Sequence, residues 1–226
     1  METLRFILDN LPLIAQLTLQ HLGIVAAAVG LAILSGVPLG IAISQNERAA
    51  RIVLAIAAIV MTIPSVALFG LMIPPLSLIG QGIGAVPAVL ALFLYSQLPI
   101  IRNTSTAIAN VDPALREAAR GMGMTTWQRL WRVELPLATP LIMAGVRVAV
   151  VINIGIAAVA TYIGAGGLGG LISRGISQSD TRQLLAGAVL VSLIAVLADY
   201  GLLWVQRALT HPGLRVPSHK KLETPA

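Results

Sequence analysis

The sequence DPALREAARGMGMTTWQRLWRVELP, residues 112 to 136, is a long polar segment between the hydrophobic runs of a 226-residue chain. Charged residues are absent from 10–46 and from 52–101, and 135–173 contains only Arg147. Each of these runs is longer than the roughly 20 apolar residues that one helix needs to cross a bilayer. The sequence therefore predicts an all-α membrane protein, with the polar segment held between membrane helices.

The composition indicates the same class. Hydrophobic residues make up 57% of the chain and charged residues 11%, with a mean hydropathy of +0.88, whereas a soluble domain carries about 25% charged residues. The net charge of +6 does not indicate nucleic-acid binding, because the basic residues are spread over several loops. Since the chain has no cysteine, a disulfide, a cysteine-ligated metal site and a thiol nucleophile are excluded. We expect no metal site and no catalytic residue.

The hydrophobic runs divide into five predicted transmembrane helices. Run 52–101 is too long for one crossing, and we place its break where Pro74 and Pro75 precede a glycine-rich stretch. The predicted spans are 17–44, 52–73, 84–101, 137–162 and 183–206. Residues 1–16 lack the features of a removable signal peptide and are predicted to be a short amphipathic extracytoplasmic lead-in. Residues 207–226 are predicted to be a polar cytoplasmic tail.

The distribution of lysine and arginine predicts the orientation. Five crossings place the termini on opposite sides, and the side richer in basic loop residues is cytoplasmic. With segment 112–136 in the cytoplasm, that side carries eleven basic residues and the other side three. The eleven are Arg48, Arg51, Arg102, Arg116, Arg120, Arg129, Arg132, Arg207, Arg215, Lys220 and Lys221, and the three are Arg5, Arg174 and Arg182. The N-terminus is therefore predicted to be outside and the C-terminus cytoplasmic.

The polar segment is predicted to be a helix-turn-helix. Asp112 and Pro113 are typical of an N-cap and a first helical position, and Gly121 or Gly123 can end the first helix. Thr125 and Gln128 have the spacing of a capping box that begins a second helix, which we expect to stop at Pro136. Trp127 and Trp131, four residues apart, then share one side of that helix. From these residues alone, an amphipathic loop with interfacial tryptophans and a knob that fits a groove on another protein remain alternatives.

Part of this segment, EAARGMGMTTWQRLWRVELP, resembles the EAA motif of bacterial ABC importer permeases. Residues on the pattern are Glu117, Ala118, Ala119, Gly123, Val133, Leu135 and Pro136, with Val133 where isoleucine is commoner. The resemblance implies that this segment is a coupling helix that docks into a cleft on a cytoplasmic ATPase subunit. It assigns the contact to Glu117, Ala118, Ala119 and Gly123, and we add Gly121, Leu135 and Pro136 as coupling candidates.

The flanking segments point to a subfamily. TIPSVALFGLMIPPL, LYSQLPIIRNTSTAIANVDPALREAARGMGM and TYIGAGGLGGLI resemble permeases of osmoprotectant uptake systems, which carry glycine betaine, choline, carnitine and related solutes. The similarity spans roughly residues 15 to 205. Methionine-type importers of amino acids also have five spans and a glycine-rich segment after the fourth, so they remain the alternative.

The resemblance also implies partners and a location. They are a second permease subunit, identical or paralogous, two cytoplasmic ABC ATPases, an extracytoplasmic solute-binding protein and the lipid of the bacterial inner membrane. The chain has no P-loop motif, so ATP and Mg²⁺ are expected on the ATPase and the chain itself is not an enzyme. A quaternary ammonium group is usually bound by a cage of aromatic side chains. Because the aromatic residues of this chain are scattered among the spans, we expect solute specificity to be set mostly in the binding protein.

Several residues are candidates for the translocation path. Polar or helix-breaking positions near mid-membrane are Thr62, Pro64, Ser65, Tyr95 and Gln97, for which helix packing is the alternative. Arg147 is a candidate for the path or a gate because a charge within a span is costly, and a structural ion pair is its alternative. Asp199 is expected to form an interfacial or intersubunit salt bridge rather than to bind solute.

The glycine-rich segment after the fourth span is a further candidate. Gly164, Gly166 and Gly169 match G-x-G-x-x-G, but no strand precedes them and no acidic residue follows at the spacing of a dinucleotide site. We expect either a flexible turn or a segment near the mouth of the path that moves with gating, with Gly164, Gly166 and Gly167 as its candidates. His21, without a second histidine at metal spacing, is expected to be a packed neutral residue.

Two other classes of protein fit the sequence poorly. A membrane enzyme acting on lipid needs clustered acidic residues or a nucleophile beside a base, whereas the nine acidic residues are dispersed. An autonomous channel or secondary transporter predicts inverted repeats with matching broken helices, and the five spans show no evident duplication.

Overall fold

A computed structural model describes residues 2–209 of the chain, and every regular element within them is helical. A π-helical turn, Leu130–Glu134, and a 3₁₀ turn, Ala160–Ile163, flank the eighth helix. The α-helices are α1 (Glu2–Asp9), α2 (Leu11–Ile43), α3 (Glu47–Thr62), α4 (Ser65–Ser77), α5 (Ala85–Ala109), α6 (Pro113–Gly121), α7 (Thr126–Arg129), α8 (Leu135–Val159), α9 (Gly169–Ser177) and α10 (Thr181–Leu209). The predicted tail 207–226 begins inside α10, and its residues 210–226 lie outside the described part.

Four stretches of helix in the described chain are long and apolar enough to cross a bilayer. They are α2, α5, the continuous helical run Thr126–Ile163, and α10. α3 and α4 meet the same test only as a pair, and they are bent by 99° at the break between them. The described part of this membrane protein is therefore all-helical, with four or five candidate crossings, depending on whether the bent pair spans the bilayer.

The predicted break after span 52–73 is present, since α4 ends at Ser77 and α5 begins at Ala85, with Pro74 and Pro75 in the last turn of α4. The structure adds a second break that the sequence did not predict, the bend between α3 and α4. Ile63 precedes a proline and has extended backbone angles, φ −68° and ψ 127°, because the ring of Pro64 disfavours the helical region for the residue before it. In the last turn of α4, Pro74 and Pro75 lack the N–H groups that would bond the carbonyls of Gly70 and Leu71, and the helix ends two residues later.

The predicted stop at Pro136 is wrong. Helical structure continues without a break from Thr126 to Ile163, and Pro136 lies in the first turn of α8. The π-helical turn directly before Pro136 shifts the pattern of backbone hydrogen bonds. The missing N–H of the proline therefore interrupts no regular α-helical bond. The second helix of the polar segment and the following span thus form one continuous helical rod.

Helix α5 is the centre of the core and packs against α2, α3, α4 and α8. Its buried side chains include Ala88, Ala91, Leu92 and Ile100. Small residues allow the neighbouring helices to approach closely, as is usual in membranes where packing rather than the hydrophobic effect drives association. α5 continues eight residues past the predicted end of its span at 101, and Thr104 in this extension is buried against α2.

Buried polar side chains add hydrogen bonds between these helices. The Asn153 amide on α8 donates to Ser96 Oγ at 2.6 Å and to the Leu92 carbonyl at 3.1 Å, both on α5. His21 is buried on α2, as predicted for a packed residue, with Nε2 3.0 Å from the Ile154 carbonyl. Each bond satisfies a polar group that has no water partner at this depth.

Because α8 packs closely against α5, substitutions of two glycines on α8 should have different effects on stability. A Cβ on Gly145 would lie 2.6 Å from Asn103 Cβ and 2.7 Å from the Pro99 carbonyl oxygen, whereas a Cβ on Gly155 would meet nothing within 4 Å. Gly145→Ala should therefore destabilise the protein by about 1–3 kcal/mol through overpacking. Gly155→Ala should be neutral or slightly stabilising, because alanine is the better helix former. Thermal unfolding in detergent micelles checks this, and equal midpoints for the two variants would contradict the packing described.

Candidate functional site

The polar segment 112–136 folds as two short helices whose caps are as predicted. Asp112 Oδ1 accepts a hydrogen bond from the Ala114 N–H at 2.8 Å, which caps α6. Thr125 and Gln128 form the reciprocal capping box of α7, with distances of 2.9 and 3.3 Å. Between the helices Gly123 has φ +77°, a left-handed conformation that favours glycine. Local sequence therefore sets the shape of this segment.

A buried carboxylate holds the two helices together. Glu134, in the π-helical turn, is 5% exposed, and its Oε1 lies 2.8 Å from Arg129 Nε and 3.4 Å from Arg116 Nε. Arg116 also donates from Nη2 to the carbonyl of Ile108 at the end of α5. One acidic side chain thus joins α6, α7, the start of α8 and, through Arg116, α5.

Sequence analysis did not identify Glu134 as part of the site. Its partner Arg129 is five residues away, a separation that does not bring side chains together on a regular α-helix. The π-helical turn between them changes this geometry. The available signal was an acidic residue within an otherwise basic stretch, RLWRVE, next to an apolar span.

The predicted coupling residues divide into two groups. Glu117, Ala118, Gly121 and Gly123 are exposed on the surface of the helix pair. Ala119, on the inner face of α6, is 1% exposed. Leu135 and Pro136 are half-buried in the first turn of α8. The exposed group can touch a partner, whereas the other three residues seat the segment on the membrane domain.

Two exposed tryptophans lie on the same side of this rod, as predicted. The rings of Trp127 and Trp131 stack edge to face, with centroids 5.4 Å apart and planes inclined by 67°. Aromatic pairs of this geometry form a rigid apolar surface with polar N–H edges.

The predicted path residues around Pro64 come together at the bend between α3 and α4. Thr62 donates to the Ile59 carbonyl at 2.7 Å, and Ser65 begins α4. Tyr95 is buried on α5, and its hydroxyl donates to the carbonyl of Ile63, a group that the bend leaves without a helical partner. Tyr95 therefore fixes the bend.

Gln97, predicted with the same group, instead joins α5 to α2. Its Nε2 donates to Ser35 Oγ at 3.1 Å. Its side chain also borders an apolar cavity of about 290 Å³ beside α3, with walls that include Val53 and Val60.

The glycine-rich segment forms a tight turn against α2. Gly164, Gly166 and Gly167 have φ of +78°, +80° and +81°, so all three need the left-handed region. The Gly167 N–H donates to Gln20 Oε1 at 3.3 Å, and a Cβ there would lie 3.0 Å from His21 Nδ1. The glycines are thus required by both conformation and space.

This turn also contacts the segment before α5. The Gly84 N–H donates to the carbonyl of Ile163 at 2.8 Å. The start of α5 and the end of α8, both far from segment 112–136, therefore meet in one place.

Arg147 is held in a charged pair between α8 and α10. Its guanidinium donates from Nε (3.0 Å) and Nη2 (2.8 and 2.9 Å) to the Asp199 carboxylate, and from Nη1 to Gln206 Oε1 (3.1 Å). Gln206 in turn donates to the Pro140 carbonyl at 2.9 Å. Asp199 forms a salt bridge, as predicted, but its partner Arg147 belongs to the same chain rather than to another subunit. The pair borders a cavity of about 640 Å³ between the two helices.

Most of this chain matches a known protein family and named relatives. The family described as "Binding-protein-dependent transport system inner membrane component" matches residues 28–211. The osmoprotectant import permease protein OsmW of Salmonella typhimurium (strain LT2) is 56% identical over 95% of this chain and 100% of its own length. The glycine betaine/carnitine/choline transport system permease protein OpuCB of Bacillus subtilis (strain 168) is 43% identical over 87% of this chain and 88% of its own.

Solved structures give the same fold. A chain of the MetNI methionine ABC transporter, in an inward-facing conformation, superposes with a TM-score of 0.81 at 25% sequence identity. The match covers 89% of this chain and 98% of that one.

The buried carboxylate of the polar segment leads to a testable prediction. Glu134→Gln removes the counter-charge of two guanidinium groups whose side chains are 13% and 17% exposed, a loss that costs about 3–5 kcal/mol at buried pairs. Backbone amides of 113–134 should then exchange hydrogen at least about tenfold faster, as measured by mass spectrometry. Glu117→Gln, the same chemical change at an exposed position, is the control and should leave exchange unchanged. Equal exchange in the two variants would show that Glu134 does not hold the segment.

Proposed function

The chain belongs to the family of inner-membrane components of binding-protein-dependent transport systems, and we propose that it is the permease subunit of an ATP-driven osmoprotectant importer. The proposed solutes are quaternary ammonium compounds such as glycine betaine, carnitine and choline. Identity of 56% to an osmoprotectant import permease, against 25% to a methionine transporter chain, favours this class over the methionine-type alternative.

The observation that carries the coupling role is the rigid helix pair of segment 112–136. Glu117, Ala118, Gly121 and Gly123 are exposed on a surface that the Glu134 ion pairs hold in shape. A compact helical knob of this kind fits a groove on another protein. We assign this surface to the contact with a cytoplasmic ABC ATPase, which binds ATP and Mg²⁺. Ala119, Leu135 and Pro136 support the contact from beneath.

The exposed apolar surface of a single chain supports the proposed assembly. Most of the apolar surface of α10 is uncovered, including Leu193, Leu197 and Trp204. A second permease, identical or paralogous, covers part of such surface and lines the path together with this chain, and lipid covers the rest. Two ATPases and an extracytoplasmic solute-binding protein complete the importer in the bacterial inner membrane.

In this proposal the bent pair α3–α4 is one crossing, which gives five. The N-terminus is then extracytoplasmic, and α10 ends in the cytoplasm, on the side of segment 112–136. The bend with Thr62, Pro64 and Ser65, held by Tyr95, lies along the path, and Gln97 supports it from α5. The glycine turn at 164, 166 and 167 lies at its outer mouth, where the start of α5 meets the end of α8.

Charge reversal at the knob tests this function. Glu117→Arg should weaken co-purification of the candidate ATPase at least about tenfold and abolish ATP-dependent uptake of glycine betaine, because like charges opposed at an interface cost several kcal/mol. Asp9→Arg, the same reversal on exposed α1, is the control and should leave both unchanged. Assembly and uptake that are equal in the two variants would remove the support for coupling through this segment.

A further inference from the structure

The Arg147–Asp199 pair lies deep within the membrane-spanning helices. Arg147 is twelve residues beyond the start of α8 at Leu135, and Asp199 is ten residues before the end of α10 at Leu209. At the α-helical rise these separations are about 18 Å and about 15 Å. In a hydrocarbon core of about 30 Å, both charges are near mid-membrane.

This pair is open to a cavity rather than sealed in the core. The side chains of Arg147 and Asp199 are 21% and 37% exposed, and they border the cavity of about 640 Å³ between α8 and α10. Charges at this depth are costly in contact with acyl chains and normally face protein or water. The face of α8 and α10 that carries the cavity is therefore assigned to the inside of the assembled permease.

We propose that this pair is a binding site for a zwitterionic quaternary ammonium solute, which exchanges partners with the two side chains. This inference rests on the proposed function. The guanidinium of Arg147 presents a planar fork that can take the solute's carboxylate as it now takes that of Asp199. Asp199, once released, faces the quaternary ammonium group. One ion pair and one zwitterion become two ion pairs, so no net charge enters the membrane.

Neighbouring groups favour the exchange. Tyr200 lines the same cavity and is 66% exposed, so its ring face is available to the ammonium group. Gln206 holds Arg147 Nη1 at 3.1 Å and is itself anchored to the Pro140 carbonyl. The guanidinium therefore stays in place when Asp199 turns to the solute.

A zwitterionic lipid headgroup offers the same two charges, but the depth argues against it. Headgroups lie at the interface, whereas the pair is about 15–18 Å along the helices from their nearer ends. A small solute can reach this position through an aqueous path.

The site distinguishes carboxylate-bearing solutes from choline. Choline can satisfy Asp199 but supplies no anion for Arg147, which would remain charged with Gln206 alone among the contacts described above. A charge without a counter-ion is costly at this depth in the membrane, even beside a cavity. Glycine betaine and carnitine avoid this cost because each carries a carboxylate.

The test uses the complete importer, permease with ATPases and binding protein, in liposomes. Uptake of glycine betaine and of choline is measured at saturating solute for the wild-type complex and for the double variant Arg147→Gln/Asp199→Asn. The ratio of the two uptakes should fall about tenfold or more, since a charged hydrogen-bonding pair is lost for one solute only. The ratio does not depend on how much complex assembles.

The other possible results would overturn either this inference alone or the proposed function as well. An unchanged ratio, at full or uniformly reduced uptake, makes the pair a structural clamp and overturns the inference while the proposed function stands. A wild-type complex that imports neither solute overturns both. The measurement is repeated in liposomes of phosphatidylglycerol alone, where the fall in ratio should persist. A fall that needs zwitterionic lipid would assign the site to a headgroup and overturn the solute site.

Tyr200 provides a second test that leaves the ion pair intact and decides the matter if the double variant does not assemble. Tyr200→Leu should lower uptake of both solutes about two- to tenfold, whereas Tyr200→Phe, which keeps the ring face, should match the wild type. Equal uptake by the two variants would overturn the inference.

Discussion

The carboxylate of Glu134 is the interaction on which the polar segment depends. It is buried between two arginines, one from each helix of the segment, and removal of its charge would leave both without a counter-ion. Because Arg116 also bonds the Ile108 carbonyl, the segment is tied to the end of α5 as well as to α8. A contact made by Glu117 on the exposed surface of α6 would therefore be transmitted to the membrane helices by ion pairs and continuous backbone rather than by a flexible loop.

Helix α8 links the features described above. It begins in the π-helical turn that carries Glu134, passes Arg147 near mid-membrane, and ends in the 3₁₀ turn before the glycine-rich segment. Asn153 fastens its middle to α5. A tilt of this rod driven from the end that carries Glu134 would change the geometry at both the ion pair and the glycine-rich turn. Coupling by a rigid element with two positions is the physical form that alternating access requires.

Much of this architecture could be predicted from sequence because the relevant signals are local. Hydrophobic runs indicated membrane helices, and Asp112 and the Thr125–Gln128 pair indicated the caps. The break after α4 was predicted, whereas the bend at Pro64 was not, because an apolar run with a single proline can also continue as a kinked helix. Glu134 was missed because a π-helical turn brings it to Arg129, and the partner of Asp199 is 52 residues away. Non-local contacts of this kind leave no periodic signal.

The central claim, that the surface of α6 contacts the ATPase, is tested most directly by cross-linking. The chain contains no cysteine, so Ala118→Cys provides a single reactive site on exposed α6. A cross-linker with a maleimide at one end and a photoreactive group at the other, applied to membranes of the complete importer, should join this cysteine to the ATPase on illumination, while Gln178→Cys, exposed after α9, should give no such product. The account predicts an ATPase adduct from position 118 alone. An adduct from position 178, or none from 118 in a complex that still imports solute, would contradict it.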